Sequence, residues 1–235
     1  MTVDLSRRIE SEELMDDPSV SPEAFKRALH ELEVINKYLG GRQTSVTGVE
    51  RLLPQPPADV TLLDAGTGGG DVAAYIHHAL TEQGYSPTVV GMDRSPDAIS
   101  YARSRYGSTN GLRFRQCDVY DLQDDSWDIV HASLFLHHIP GDDIPSMLRR
   151  FHHLSERGVV INDLHRHPAA FRSIQLLTTL LSSSKLVRHD APLSVRRAFT
   201  QQELKSFTEQ AGLPAPRIRW RWAFRWLLTV PARNA

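Results

Sequence analysis

The sequence lacks the features of a disulfide-stabilised, membrane-spanning or nucleic-acid-binding protein. Cys117 is the only cysteine among 235 residues, so an internal disulfide is impossible and a reducing compartment is expected. No apolar run is long enough to span a membrane, and the N-terminus has no apolar signal region. The net charge of −1 gives no general attraction to nucleic acid. These absences predict a soluble, cytoplasmic protein that makes no stable membrane insertion and binds no nucleic acid.

The most informative segment is an apolar run that ends in an acid and continues into a glycine-rich turn. Residues 60–63 are mostly apolar, Asp64 follows, and glycines occupy positions 66, 68 and 70. This order predicts a buried strand, a tight turn and a helix N-terminus whose N–H groups face a ligand. A carboxylate at this strand end suits a ligand that carries an ammonium or sulfonium group, whereas a pyrophosphate gains nothing from it.

Three further strand ends carry polar side chains. Asp93 ends a second apolar run 29 residues after Asp64, where a carboxylate can accept bonds from both hydroxyls of a ribose. Asp118 ends a third strand, and Ser133 ends a fourth that leads into residues 134–138. The carboxyl ends of strands in an open α/β sheet meet at one crevice. We therefore expect one ligand site at this edge of the sheet.

Strands alternate with helical segments at about 71–82, 95–106 and 142–155, and a fifth strand covers 157–163. This alternation predicts an α/β, doubly wound, mostly parallel sheet with helices on both faces. After Gly212 the pattern becomes strand-like, and Trp220, Trp222 and Trp226 are expected in the core of a terminal antiparallel hairpin.

Two helical additions flank this core. A capped helix starting at Ser21 precedes the sheet, so residues 1–53 are interpreted as an N-terminal helical extension or cap, with residues 1–20 expected to be mobile. Residues 54–235 then form the main domain, with an apolar helical insertion at about 168–198 after strand five.

The pattern resembles the class I S-adenosylmethionine-dependent methyltransferases. Residues 64–70 match the family's first motif, Asp93 its ribose-binding acid and Asp118-Val119 its adenine-side segment, while residues 133–138 match the segment near the transferable methyl. The likeness covers roughly residues 57–163. It is greatest to the small-molecule branch, which includes quinone-biosynthesis methyltransferases and bacterial methyltransferases encoded beside type III polyketide synthases, which modify phenolic products of secondary metabolism.

The resemblance implies a seven-stranded Rossmann-like sheet, S-adenosyl-L-methionine as cofactor, and methyl transfer to a small, hydrophobic phenolic acceptor, with O-methylation favoured. The cofactor-binding residues that it implies are Asp64, Ala65, Gly66, Thr67, Gly68, Asp93, Arg94, Asp118, Val119 and Ser133.

A phenol has a pKa near ~10, so a base promotes its methylation at neutral pH, and histidine suits that role. His138 follows strand four and His165 follows strand five, with Asp163 placed to orient a histidine or contact the acceptor. These three are the candidate catalytic residues. No metal is expected, because Ser133 and the order Asn162-Asp163 depart from the pattern of magnesium-dependent catechol methyltransferases.

Other functions remain open at this stage. C-methylation of a phenol or quinol is the first alternative, and a non-catalytic methyltransferase-like subunit is another. An NAD(P)-dependent reductase also uses a glycine-rich turn and a ribose acid, but its acid lies about 20 residues on and its glycines follow G-x-G-x-x-G. The chain is expected to act as a monomer or homodimer on a small aromatic substrate.

Overall fold

Seven strands form one sheet in the order β3-β2-β1-β4-β5-β7-β6 in the computed structural model, which describes residues 3–123 and 125–232. The first five strands are parallel, and β7 runs antiparallel to both of its neighbours. The predicted doubly wound sheet with an antiparallel terminal hairpin is confirmed. The strands are β1 (Asp59–Ala65), β2 (Ser86–Asp93), β3 (Leu112–Gln116), β4 (Trp127–Ser133), β5 (Ser155–Leu164), β6 (Arg217–Arg221) and β7 (Arg225–Pro231).

Helices connect the strands and extend the domain at two places. Their starts follow the capping rules, since the Ser21 hydroxyl accepts from the N–H of Ala24, and Thr200 and Glu203 form a capping box. The helices are α1 (Pro22–Tyr38), α2 (Gly41–Glu50), α3 (Asp71–Glu82), α4 (Pro96–Tyr106), α5 (Ile144–His153), α6 (Pro168–Leu181), α7 (Lys185–Arg197) and α8 (Gln201–Gln210). The insertion expected at 168–198 is the pair α6 and α7.

Helix α2 was not predicted, because Gly40-Gly41 indicates only a helix stop. Helix α1 does end there, with Gly40 at a φ of +72°, but the chain turns directly into α2. Gly48 lets α2 approach the sheet, since a Cβ at this position would lie 2.5 Å from Val160 and 2.8 Å from Leu227. Close packing on β5 and β7 therefore stabilises a helix whose own sequence pattern is weak.

Alternate residues of the strands supply two hydrophobic layers, one on each face of the sheet. Leu62 and Ile129 pack in the cluster that includes α3, whereas Leu63 and Val130 pack in the cluster that includes α5 and α8. This division follows from the two-residue period of a strand. With both faces covered by helices, the exposed edge of the sheet available for chemistry is the carboxyl end of the strands.

The N-terminal segment, residues 3–21, packs against the carboxyl edge of the sheet, so the expectation that it is mobile was wrong. The Arg8 guanidinium donates to the carbonyls of His137, Ile139 and Arg197 at 3.2, 3.1 and 2.7 Å. The Asp190 carboxylate accepts the N–H groups of Leu14 and Met15, both at 2.9 Å. Buried polar partners far along the chain therefore fix a segment that shows no sequence periodicity.

The terminal hairpin differs from the prediction in which residues it buries. Trp226 is buried and donates its indole N–H to the carbonyl of Phe199 at 3.0 Å, but Trp220 and Trp222 are 47% and 66% exposed. The hairpin lies at the end of the sheet, and β6 is its edge strand, so little structure covers this face. Across the described residues, no helix combines the length and apolar character needed to cross a membrane.

Candidate active site

Two adjoining cavities open at the carboxyl edge of the sheet. The larger has a volume of about 850 Å³ and lies over the ends of β1, β2 and β3, beneath the N-terminal segment. Eight of the residues predicted from the sequence line it: Ala65, Gly66, Gly68, Asp93, Arg94, Asp118, Val119 and His138. Its volume and its mixed polar and apolar lining fit a nucleoside-sized ligand.

The glycine-rich turn after β1 requires glycine for two physical reasons. Gly66, Gly68 and Gly70 have φ values of +68°, +53° and +79°, a region that residues with a Cβ rarely adopt. In addition, a Cβ at Gly66 would overlap the ring of Phe135, and one at Gly70 would lie 2.6 Å from Phe114. The absence of side chains thus lets the backbone of the turn line the cavity and also pack closely against Phe135 and Phe114.

Asp93, at the end of β2, holds this turn in place. One carboxylate oxygen accepts the N–H of Gly68 and the other accepts the N–H of Ser95, both at 2.9 Å. Burial raises the pKa of Asp93, and these two backbone donors oppose that effect. Each oxygen keeps a second lone pair, so the carboxylate is able to accept hydroxyl groups from the cavity as well.

Asp64 lies behind the cavity and does not line it. Its oxygens are bonded to the Thr67 hydroxyl and to His131 Nδ1, both at 2.6 Å, and the side chain is buried. His131 Nε2 in turn meets the Ser45 hydroxyl at 2.9 Å. The acid therefore fixes the base of the glycine turn, and the expected direct approach to a cationic ligand is not what the geometry shows.

Ser133 and Thr67 are likewise outside both cavities, whereas Arg94 and Asp118 border the larger one. The Ser133 hydroxyl accepts from the amide of Asn162 at 3.3 Å. Arg94 donates to Asp16 of the N-terminal segment at 2.7 Å, and Asp118 accepts the N–H of Tyr120 at 3.0 Å. The structure thus divides the predicted cofactor set into residues at the cavity wall and residues that support that wall.

The smaller cavity, about 290 Å³, is lined by α1, α6, α7 and the tip of the terminal hairpin. Most of its lining is apolar, including Ile35, Ile174, Leu177 and Phe224. Four residues border both cavities, namely Glu13, Leu32, Leu134 and His138. An apolar chamber therefore meets the larger cavity at a junction that holds a carboxylate and an imidazole.

Backbone strain is concentrated around this smaller cavity. Within residues 3–123 and 125–232, the non-glycine residues with positive φ are Leu134, at 52°, and Phe224, at 54°. Both line the smaller cavity. An αL conformation is unfavourable for bulky side chains, by about 1–3 kcal/mol, and persists where the surrounding structure holds it. The strain supports a functional role for this chamber.

His137, rather than His138, forms the histidine–carboxylate pair. Asp163 is fully buried and accepts from His137 Nδ1 at 2.7 Å and from the His137 backbone N–H at 3.2 Å. Burial alone would raise the pKa of Asp163, but His137 and the N–H of Leu164 hold it below its ordinary value. The pair leaves His137 Nε2 directed to Glu13, 3.9 Å away.

Burial at the junction shifts the pKa values of His138 and Glu13 in opposite directions, because it disfavours the charged form of each. Burial, with the nearby His137 and Arg197, lowers the pKa of His138 well below its ordinary value, so its imidazole is neutral at pH 7. Burial raises the pKa of Glu13, which accepts from the Ser194 hydroxyl at 2.7 Å. The Nε2 of His138 lies 4.0 Å from Glu13 Oε2. A neutral imidazole here is an available proton acceptor.

His165 is placed away from both cavities. Its ring packs against Trp226 at 4.6 Å and His167 at 5.1 Å between ring centroids, and its Nδ1 is buried without a hydrogen-bond partner. Burial, together with His167 and Arg166, lowers the pKa of His165 to about 4. The geometry does not bring this predicted base to the site.

One group of side chains in the described part of the chain has its potential metal-ligating atoms within 4.8 Å of one another: Glu13, His137 and His138. Arg197 Nη1 lies 3.7 Å from Glu13 Oε1, so a fixed positive charge already faces the carboxylate. A divalent cation would repel this guanidinium, and the expectation of a metal-free site remains a prediction.

Sequence reasoning missed Glu13, His131 and His137. The signal for His137 was its place beside His138, since residues in a tight turn after a strand can both face inward. His131 was visible as a polar residue inside an apolar strand. Glu13 had no signal, because nothing in the sequence ties residues 3–21 to the strand ends.

Comparison with known proteins agrees with this geometry. A family described as a methyltransferase domain matches residues 62–158. Phosphoethanolamine N-methyltransferase 1 of Arabidopsis thaliana is 29% identical over 134 residues, which is 55% of this chain and 26% of that protein. The chain thus spans about a quarter of the length of this curated relative.

Solved structures share the fold. Magnesium protoporphyrin IX methyltransferase from Synechocystis PCC 6803, with bound S-adenosylmethionine, has a TM-score of 0.55 and 16% identity over 93% of this chain and 88% of that one. Human N-acetylserotonin methyltransferase, in complex with the same cofactor, has a TM-score of 0.64 and 15% identity over 90% and 56%. Residues 62–158 thus match a methyltransferase domain, and the chain as a whole shares the fold of solved methyltransferases that hold S-adenosylmethionine.

Proposed function

We propose that this chain transfers the methyl group of S-adenosylmethionine to the hydroxyl oxygen of a small, apolar aromatic acceptor. The observation that carries the proposal is the junction of two cavities at Glu13 and His138. One cavity suits the cofactor and the other suits an apolar acceptor, so the methyl and the hydroxyl meet where the imidazole lies. In this proposal residues 1–53 are the cap and residues 54–235 the methyltransferase domain.

The larger cavity is the proposed cofactor seat. Asp93, Asp118 and Val119 line this cavity. Asp93 would offer its free lone pairs to the ribose hydroxyls, and Asp118-Val119 would lie along the base. Asp64, Thr67 and Ser133 act from behind the wall by fixing the glycine turn and the end of β4. Arg94 ties the site to the N-terminal segment through Asp16.

The smaller cavity is the proposed acceptor seat. Its apolar lining comes from α1, α6 and the hairpin tip, while Glu13 and His138 lie at the end shared with the larger cavity. An acceptor with an apolar body and one hydroxyl would bury its body and place the hydroxyl beside His138. This arrangement supports a phenol over a charged or extensively hydroxylated acceptor.

The chemistry needs one proton acceptor and an aligned pair of reactants. S-adenosylmethionine, when bound, would supply an electrophilic methyl group to the phenol oxygen, and its sulfonium would leave as a neutral thioether. The phenol proton passes to the neutral imidazole of His138, and Glu13 at 4.0 Å stabilises the resulting cation. Asp163 and His137 act behind this pair by positioning residues 136–138.

Methyl transfer from isotope-labelled S-adenosylmethionine to a panel of para-alkylphenols tests the proposal. The matched controls are the corresponding methyl ethers, which have the same apolar body but no hydroxyl. We expect labelled aryl methyl ethers from the phenols and no product from the controls. Ring-methylated products that keep a free hydroxyl would replace O-methylation with C-methylation. Binding of NAD(P) without binding of S-adenosylmethionine would overturn the proposal.

A further inference from the structure

Large apolar side chains remain exposed around the smaller cavity. On α6, Leu176, Leu180 and Leu181 are 62%, 70% and 77% exposed. On α1 and at the hairpin tip, Tyr38 and Trp222 are 74% and 66% exposed. We call these five residues, together with Val34, the apolar rim. Exposed apolar patches of this kind mark interaction surfaces more often than single exposed side chains do.

The apolar rim belongs to the same elements that line the smaller cavity. Helix α6 contributes Ile174 and Leu177 to the cavity, α1 contributes Ile35 and Leu39, and Trp222 lines the cavity directly. Ser182, at the end of α6, donates to Glu31 of α1, so the two helices are held side by side. A partner seated on the rim would therefore lie at the entrance to the proposed acceptor seat.

Two segments that contribute to the rim carry cations and no acids. Residues 164–189 contain four cationic side chains and no Asp or Glu, and residues 210–232 contain four and none, although the whole chain has a net charge of −1. Arg166 and Arg225 are buried. The others are exposed or partly exposed, and no ion pair to a carboxylate is found for them among the described residues: Arg172, Lys185, Arg188, Arg217, Arg219 and Arg221.

We propose that the apolar rim docks on the surface of an anionic lipid bilayer, from which the apolar acceptor enters the smaller cavity. Leucines and tryptophan would enter the boundary between headgroups and acyl chains while the flanking cations meet anionic headgroups. Helix α6 has 14 residues, which is too short to span a bilayer, so it lies in the interface.

The charge pattern favours this partner over a second copy of the chain. A two-fold interface places the same surface on both subunits, so the cations of the rim would face one another. Glu31 of α1 is already engaged by the hydroxyl and backbone N–H groups of residues 182–184. An anionic bilayer supplies the opposite charge that the rim lacks.

Co-sedimentation with unilamellar vesicles tests the proposal. We expect the full-length protein to bind vesicles of phosphatidylglycerol and phosphatidylcholine at low salt, at least tenfold more strongly than vesicles of phosphatidylcholine alone. Added salt should weaken binding, because exposed charges are screened over about 10 Å at 0.1 M. Equal binding to both vesicles, or none to either, would overturn the proposal.

Two variants separate the rim from general surface effects. The triple change Leu176→Ser, Leu180→Ser and Leu181→Ser should lower vesicle binding at least tenfold. The matched control, Gln175→Ser with Thr179→Ser, alters exposed polar positions of the same helix and should bind as wild type. None of these residues lines either cavity, so calorimetry should show unchanged affinity for S-adenosylhomocysteine, which verifies folding and keeps this test independent of the proposed function.

Sedimentation velocity without lipid tests whether a second copy of the chain covers the rim instead. A monomer in both wild type and the triple serine variant supports the lipid surface. A wild-type dimer that the triple variant dissociates would assign the rim to a second copy and overturn the proposal. Equal vesicle binding by the triple variant and the control would likewise overturn it.

Discussion

The two cavities are built in different ways. One wall of the larger one is made by short turns at the ends of β1, β2 and β3, and residues 9–18 and α1 cover that wall. The smaller one is assembled from α1, α6, α7, the hairpin tip and Glu13, which are separated by most of the chain. Local backbone geometry therefore defines the strand-end wall of the proposed cofactor seat, whereas long-range packing defines its cover and the whole of the proposed acceptor seat.

The two cavities place different constraints on the residues that line them. Around the larger cavity, the turn that would hold a cofactor of fixed chemistry has strict backbone requirements. Gly66 supplies a positive φ angle, and Asp93 accepts a backbone hydrogen bond. Around the smaller cavity, apolar side chains such as Leu177 and Ile174 set only volume and shape. The acceptor seat can change without disturbing the cofactor seat, provided that the junction at His138 is kept.

Removing the imidazole at the junction should have the largest effect. His138→Gln should lower kcat roughly 10²- to 10⁴-fold while the affinity for S-adenosylmethionine stays near wild type, because the proton acceptor is lost and the cofactor seat is not. The measurement is the rate of phenol methylation, with His165→Gln as the matched control that should keep the wild-type rate. Retention of both rate and pH profile in His138→Gln would leave positioning as the only catalytic contribution at this residue.

Asp93→Ala should damage the cofactor seat. The affinity for S-adenosylhomocysteine should fall by about 2–4 kcal/mol, because the ribose loses its acceptor and the N–H groups of Gly68 and Ser95 lose theirs. Calorimetry measures the change, and thermal unfolding should show a modest loss of stability from the freed turn. An unaltered dissociation constant would remove Asp93 from the site.

Filling the smaller cavity should weaken binding of the acceptor and leave binding of the cofactor unchanged. Leu177→Trp places a larger side chain in a cavity of about 290 Å³ and leaves less room for the acceptor. The KM for a long para-alkylphenol should therefore rise about tenfold or more. The affinity for the cofactor should not change. Leu176→Trp, on the outer face of the same helix, is the control. A weakened cofactor affinity in Leu177→Trp would show that the cavities are not separate seats.

His165 should contribute to acid sensitivity rather than catalysis. Its folded pKa of about 4 lies below the ordinary value of about 6.5, so the unfolded chain binds the proton more readily. The stabilisation is present above about pH 6.5 and is lost as the pH falls toward 4. Thermal unfolding of His165→Gln should therefore depend less on pH over this window than that of the wild type, and an identical dependence would refute the assignment.

Chelation should have no effect on the rate. Arg197 faces Glu13, so the group Glu13, His137 and His138 does not need a cation. Activity measured before and after dialysis against EDTA should be equal. Loss of turnover that magnesium or zinc restores would instead establish a metal site at the junction.

The sequence predicted the mostly parallel sheet with its antiparallel terminal hairpin, and eight residues that line the larger cavity, because these depend on local patterns. An apolar run followed by an acid or glycines fixes a strand end, and the ends of parallel strands meet. Asp93, Gly66 and Asp118 lie where that rule places them. Asp64 shows the limit of this rule. The pattern locates the residue but does not indicate that His131 and Thr67 bind the two carboxylate oxygens of Asp64.

The acceptor side was less predictable because its contacts join distant segments. Glu13 reaches the site only through hydrogen bonds of residues 8–15 to the strand ends and α7, which no local periodicity encodes. His137 and His138 are adjacent, and only the position of Asp163 decides which of them it binds. His165 was expected at the site from its place after β5, but packing against Trp226 turns it aside.

A crystal structure with S-adenosylhomocysteine and a para-alkylphenol tests the division into two seats most directly. The account predicts the cofactor in the larger cavity and the alkyl chain in the smaller one. The phenol oxygen should lie about 2.6–3.2 Å from a ring nitrogen of His138 and on the line toward the cofactor sulfur. A phenol bound in the larger cavity, or a hydroxyl directed away from His138, would contradict it.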